Sequence, residues 1–199
     1  MTALRKTDEI FTAEEYLAFE LEARRRHEFV GGHIYAMAGT TVVHADICGN
    51  IYAALHAQLR GKPCRPFTTE IKLKVRALSD ENFYYPDVMV ACDPADNAEL
   101  WRERPSVVFE VLSPSSMRTD FDKFFVYQHI PTLQVYAVVA QTHRLVTLFV
   151  RTAEGWKRST LSDPAASLPL DSIGCQLSLA QIYEGIDFAA AQLARKIND

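Results

Sequence analysis

Two acidic residues stand where apolar ones are expected. The stretches Phe83-Tyr-Tyr-Pro-Asp-Val-Met-Val-Ala and Ser106-Val-Val-Phe-Glu-Val-Leu-Ser-Pro are short runs rich in aromatic and β-branched residues. Turn formers bound each run, so the pair predicts two neighbouring buried strands. Asp87 interrupts the first and Glu110 the second. An ionised carboxylate inside a buried strand is costly unless a cation or hydrogen-bond donors compensate it. Two of them on adjacent strands therefore point to a shared cation held by oxygen ligands. A lysine, Lys123, follows the second acid by thirteen residues.

The rest of the chain must position these groups. With 199 residues, 48% apolar and 23% charged, it has the composition of an ordinary globular protein and can bury one good core, which predicts one domain over 1–199. No apolar run approaches the roughly 20 residues that span a bilayer, and the start, Met1-Thr-Ala-Leu-Arg-Lys, lacks a signal-peptide core. The expected compartment is the cytoplasm. Cys48, Cys64, Cys92 and Cys175 are scattered, with no Cys-x-x-Cys pair, and are read as buried free thiols. A net charge of −4 argues against a general nucleic-acid coat but leaves room for a local basic cleft. Arg24-Arg25-Arg26-His27 and the series Lys72, Lys74, Arg76 are candidates for one, or simply solvated faces.

Thr12 with Glu15 fits a capping box and Phe11 with Tyr16 a hydrophobic staple, which predicts a helix to about Ala23. His27 to Met37 reads as a hairpin around Gly31-Gly32, with Glu28 opposite about Tyr35. Val43, Ile47, Ile51, Leu55 and Leu59 recur every fourth position and predict one buried stripe of a helix from Thr41 to Leu59. His44 and His56 lie off that stripe and too far apart to share a metal, and are read as surface or cap residues. His44, near the helix start, could alternatively reach a phosphate. Glu70–Arg76 alternates as a half-buried strand and pairs, through a turn at Ser79–Asn82, with Phe83–Ala91. A loop with a helical turn around Ala98–Arg102 follows. Past the second acid strand, Thr119 or Asp120 can cap a helix through about His129. Leu133–Ala140 and Leu145–Arg151 form a further hairpin, Trp156–Leu161 an edge strand, and Leu179–Ile186 a short helix before a frayed end. The order predicts a mixed sheet flanked by helices, an α/β or α+β fold.

Read in sequence, Arg26-His-Glu-Phe-Val-Gly-Gly, Tyr85-Pro-Asp-Val-Met-Val, Phe109-Glu-Val-Leu-Ser-Pro-Ser and Lys123-Phe-x-x-Tyr-x-x-Ile-Pro-Thr-Leu-Gln-x-Tyr form an ordered set of blocks. They resemble the PD-(D/E)XK nuclease superfamily, and within it the Uma-type putative restriction endonucleases, over about Phe11 to Arg151. The resemblance implies a restriction-endonuclease-like fold, with a mixed central sheet, and a core over about 11–151. It implies that Asp87, Glu110 and the backbone carbonyl of Val111 bind Mg²⁺, with Mn²⁺ able to substitute. Water activated beside the ion would then attack a DNA phosphodiester. Glu28 matches the family's upstream acid and would bind a second ion or hold one of its waters. Leu112 stands where the motif expects lysine, and Lys123 matches the position to which that lysine has moved in this branch. The segment Thr119-Asp-Phe-Asp-Lys is shorter than the family pattern, which weakens any role for Asp120.

Each residue also has an ordinary reading: Asp87 as a turn cap, Glu28 as a solvated hairpin acid, Lys123 as a surface lysine. The function expected is a metal-dependent endonuclease, with Glu28, Asp87 and Glu110 as the metal site and Lys123 orienting water or stabilising charge. A homodimer would present one site to each DNA strand. The alternatives are a catalytically inactive binding or scaffold protein on the same fold, and a metal phosphoesterase for small nucleotides.

Overall fold

A computed structural model describes residues 10–37, 39–77, 80–112 and 117–189. Local chemistry starts the first elements where the sequence predicts them. The Thr12 hydroxyl accepts the Glu15 N–H at 3.2 Å and the Glu15 carboxylate accepts the Thr12 N–H at 2.8 Å, the reciprocal capping box of α1 (Ala13–Glu22). Strands β1 (His27–Val30) and β2 (His33–Ala36) pair across Gly31 and Gly32, whose φ values of 56° and 81° suit a two-residue hairpin turn. Glu28 faces Tyr35 across that hairpin, as expected. In α2 (Val42–Leu59), Ile47, Ile51, Leu55 and Leu59 are the buried stripe, and the Thr41 hydroxyl caps the first turn by accepting the His44 N–H.

Beyond α2 run β3 (Arg65–Thr68), β4 (Lys72–Ala77), β5 (Asp80–Tyr84), β6 (Val88–Ala91), β7 (Trp101–Arg102) and β8 (Pro105–Leu112). Then come α3 (Met117–Tyr127), β9 (Val135–Ala140), β10 (Val146–Thr152), β11 (Gly155–Leu161), β12 (Ser167–Leu170), β13 (Cys175–Ser178) and α4 (Leu179–Ile182). Six strands form a mixed sheet in the order β11-β10-β9-β8-β6-β3, in which only β8 and β9 run parallel. The connection between those two carries α3, as a parallel crossover requires. A second sheet has the order β2-β1-β5-β4-β7, and β12 pairs with β13. The predicted α+β class and mixed sheet are borne out.

Several sequence expectations change. Phe83–Ala91 is not one strand: β5 belongs to the five-stranded sheet and β6 to the six-stranded one. The break falls at Tyr85-Pro86-Asp87, because a proline has no N–H to give a central ladder. Residues 98–102 end in β7 rather than in a helical turn. Thr119 and Asp120 lie within α3, which begins at Met117, so neither is its cap. The terminal helix stops at Ile182, and Lys196–Asp199, where fraying was expected, lie outside the described residues. Lys72 and Lys74 are buried, not solvated: the Lys72 Nζ stacks 5.4 Å from the Tyr85 ring, and the Lys74 Nζ pairs with Glu81 at 2.8 Å. Burial pulls the Lys72 ammonium below the usual lysine range, a shift that nearby Glu20 partly offsets.

The cysteine reading is also corrected. Strand β3 pairs with β6 with Arg65 opposite Ala91, which brings the flanking Cys64 and Cys92 together in a disulfide. Because β3 carries Pro66 and little alternation, its pairing was not legible beforehand. Cys48 and Cys175 are the free thiols. Among the described residues no helix is long and apolar enough to cross a membrane.

Candidate active site

Strand β8 alternates its side chains between the two faces of the six-stranded sheet. Val107, Phe109 and Val111 join one apolar cluster, and Val108 and Leu112 the other. Glu110 falls between these last two on the second face and is only 3% exposed. Helix α3 supplies its compensation. Tyr127 donates its hydroxyl proton to Glu110 Oε1 at 3.2 Å, and Lys123 Nζ lies 3.3 Å from the same oxygen. Lys123 and Tyr127 are one helical turn apart, so both project from one face of α3. The Lys123 ammonium also meets Glu28 Oε1 at 2.9 Å, and that oxygen accepts the Tyr85 N–H at 3.3 Å. Leu112, at the position where a motif lysine was expected, is buried in the apolar cluster. The ammonium reaches the acids from the following helix instead.

Asp87 sits at the end of the β6–β8 ladder, whose last pair is Val88 with Phe109. Past that point the Val111 N–H lacks a β6 carbonyl to meet, and Asp87 Oδ2 accepts it at 2.7 Å. The break at Pro86 thus turns a strand residue into a side-chain extension of the ladder. His44 Nε2 stands 3.3 Å from the same Asp87 oxygen, and its Nδ1 is 3.5 Å from the Cys48 sulfur. His44 is therefore no surface or plain cap residue. It points from the first turn of α2 into the acid cluster.

Lys123 bridges Glu28 and Glu110, and Asp87 reaches the backbone N–H of Val111, the residue next to Glu110. Asp120 has no described side chain. Cys48 senses both Asp87 and Glu110. Burial pushes the Cys48 thiol well above the usual cysteine range, and the charges of Asp87 and then Glu110 push it further. Burial, then Glu110 and Glu28, holds the Tyr127 phenol far above its usual range, which keeps it a neutral donor. Tyr84 is raised by burial and by Glu28.

Sequence reasoning missed His44, Cys48, Tyr85 and Tyr127 as members of this cluster. A usable signal existed for two pairs. Cys48 follows His44, and Tyr127 follows Lys123, at the four-residue spacing that puts side chains on one helical face.

The chain's sequence and fold have counterparts. The model of the Uma2 family, described as "Putative restriction endonuclease", matches residues 13–181. An uncharacterized protein of Synechocystis sp. is 33% identical over 177 residues, covering 88% of this chain and 92% of that protein. A second uncharacterized Synechocystis protein is 33% identical over 139 residues, covering 68% of this chain and 77% of its own length. The fold matches the crystal structure of a putative nuclease belonging to DUF820 from Anabaena variabilis, with a TM-score of 0.69. That match covers 87% of this chain and 97% of the other at 16% identity, a likeness of fold.

Proposed function

This chain belongs to the Uma2 family of putative restriction endonucleases, and from that premise we propose that it is a metal-dependent endonuclease hydrolysing DNA phosphodiester bonds. The observation that carries the reading is Lys123, whose ammonium contacts both Glu28 and Glu110 although its sequence position leaves its direction open. A scaffold on the same fold would gain nothing from burying Glu28 and Glu110, acids that then need a lysine from α3 to offset their charge. The net charge of −4 and the leucine at 112 favour that competing reading of an inactive binding protein. The position of the ammonium weighs against it.

The donor set fits a hard divalent cation. Glu28, Asp87 and Glu110 are carboxylates gathered by Lys123 and the Val111 N–H, and the Val111 carbonyl is the fourth oxygen we assign. When bound there, Mg²⁺ or Mn²⁺ would supply Lewis-acid polarisation of the phosphate and of the attacking water. The remaining work falls to the chain. The Val111 N–H fixes Asp87, and Tyr127 fixes Glu110, so the carboxylates are oriented before substrate arrives. Lys123, held as a cation between two carboxylates, orients water and offsets the charge that builds on the phosphorane. In net terms the water oxygen joins phosphorus, the P–O bond to the leaving oxygen breaks, and that oxygen takes the water's proton. Two copies of the chain, one per strand, would make a double-strand cut.

Supercoiled plasmid incubated with the purified chain and Mg²⁺ or Mn²⁺ should be nicked, and chelation or the Asp87→Asn substitution should stop it. Nicking that persists equally in the variant would overturn the proposal.

A further inference from the structure

The Asp87 half of the pocket has a chemistry that the Lys123 half lacks. His44 and Cys48 lie one turn apart on α2 and face Asp87 together, and the nitrogen, sulfur and oxygen ligand atoms of the three residues all lie within 4.8 Å of one another. Nitrogen and thiolate donors are not what Mg²⁺ seeks; they favour borderline and softer ions of the Zn²⁺ and Co²⁺ class. Two ligands at the four-residue spacing on one helical face are also a recurrent way to grip such an ion.

We propose that His44, Cys48 and Asp87 form a binding site for a thiophilic divalent cation, zinc or cobalt in chemical class. The ligand atoms are gathered more loosely than a bound ion would hold them. Neighbouring ligand atoms on a tetrahedral zinc are roughly 3.3–3.6 Å apart, given Zn–N and Zn–O bonds of about 2.0 Å and Zn–S of about 2.3 Å. Here the imidazole approaches Asp87 Oδ2 at 3.3 Å and the Cys48 sulfur at 3.5 Å, through its two ring nitrogens. An ion takes one of those nitrogens, so closure needs only rotation of side chains already gathered. Three protein ligands leave a fourth position open, the pattern of zinc sites that bind water or a ligand. The His44 and Asp87 side chains, 17% and 11% exposed, let an ion enter while keeping the site mostly shielded. The positions are also fixed independently of the ion, because Thr41 caps the helix turn that bears His44 and the Val111 N–H holds Asp87.

This site goes beyond the nuclease reading and does not depend on it, although the two share Asp87. If both hold, zinc occupies an acid that the magnesium centre needs, and the thiophilic ion acts as an inhibitor of cleavage.

The test is anaerobic Co²⁺ titration of the full chain without reductant, followed by absorbance. We expect an intense near-ultraviolet band from thiolate-to-cobalt charge transfer, retained in Cys175→Ser and lost in Cys48→Ser. Absence of that band in the wild type, or its survival in Cys48→Ser, would overturn the site. A second measurement needs no variant: X-ray absorption of the zinc-loaded wild type should show one sulfur and one imidazole on the metal, and a shell of oxygen and nitrogen alone would overturn it. Neither readout involves DNA. A chain that nicks plasmid without showing the sulfur ligand therefore refutes only the thiophilic site, and the converse result refutes only the nuclease.

Discussion

The six-stranded sheet has two faces built from different materials. Against α2 and the β12–β13 pair lie Val88, Val90, Val107, Val111, Val139 and Leu148, a face that is aliphatic almost throughout. On the other face Tyr136 and Phe149 of the sheet pack with Phe124 and Tyr127 of α3 and with Tyr84 of β5, and within this aromatic layer stands Glu110. The difference teaches how one sheet serves two ends. The aliphatic face gains from removing apolar area from water and asks only for volume and pattern. The aromatic face supplies large apolar bodies whose hydroxyls can also partner a buried charge, and so it can host an acid that an aliphatic face could not.

The largest expected effect separates the two faces most sharply. Lys123→Met removes the ammonium that contacts both Glu28 and Glu110 and should destabilise the fold by about 3–5 kcal/mol at neutral pH. Mn²⁺ should restore much of that loss by binding the folded state alone. Chemical denaturation with and without Mn²⁺ checks it. A variant as stable as wild type would mean that the lysine does not compensate these acids. Leu55→Ala, on the buried stripe beneath the other face, should cost about 2–5 kcal/mol, and Mn²⁺ should stabilise it no more than it does wild type. If Mn²⁺ rescued both variants alike, the distinction between the faces would fail.

Tyr183 is a phenol set against the aliphatic face, and its one hydroxyl proton is shared between the Ala140 and Leu145 carbonyls, 2.9 and 2.8 Å away. Burial pushes its pKa up from 10.0 to about 12. The neutral phenol is thus favoured by folding: the stabilisation is full below pH 10 and is lost as pH rises toward 12, a span worth roughly 2–3 kcal/mol. Tyr183→Phe should flatten that part of the alkaline stability curve, and an unchanged curve would refute the linkage. The smallest effect expected is that of Tyr127→Phe, about 1–3 kcal/mol, because Glu110 keeps its contact with Lys123. Hydrogen exchange of β8 would detect it as a local loosening.

The sequence disclosed the aliphatic face better than the aromatic one, and for a physical reason. Apolar residues at every fourth position in α2 and unbroken apolar runs in the β9–β10 hairpin report burial directly, so Ile47 to Leu59 and that hairpin were legible. Asp87 and Glu110 were legible as exceptions to that pattern. Only the family resemblance joined Lys123 and Glu28 to them, and nothing placed His44 there, because these residues come from elements far apart in the chain and meet only once the sheets are assembled. The division of Phe83–Ala91 between two sheets was open to Pro86 alone, and one proline does not say which way the chain turns. The Cys64–Cys92 bond depended on a pairing of β3 with β6 that no periodicity announced.

The central claim is that Glu28, Asp87 and Glu110 make one centre for a divalent cation. Calorimetric titration of Mn²⁺ into wild type, Asp87→Asn and Glu110→Gln, each checked by circular dichroism, tests it most directly. Binding by the wild type and loss of binding in both folded variants is the expected result. Unchanged affinity in either variant would contradict the account.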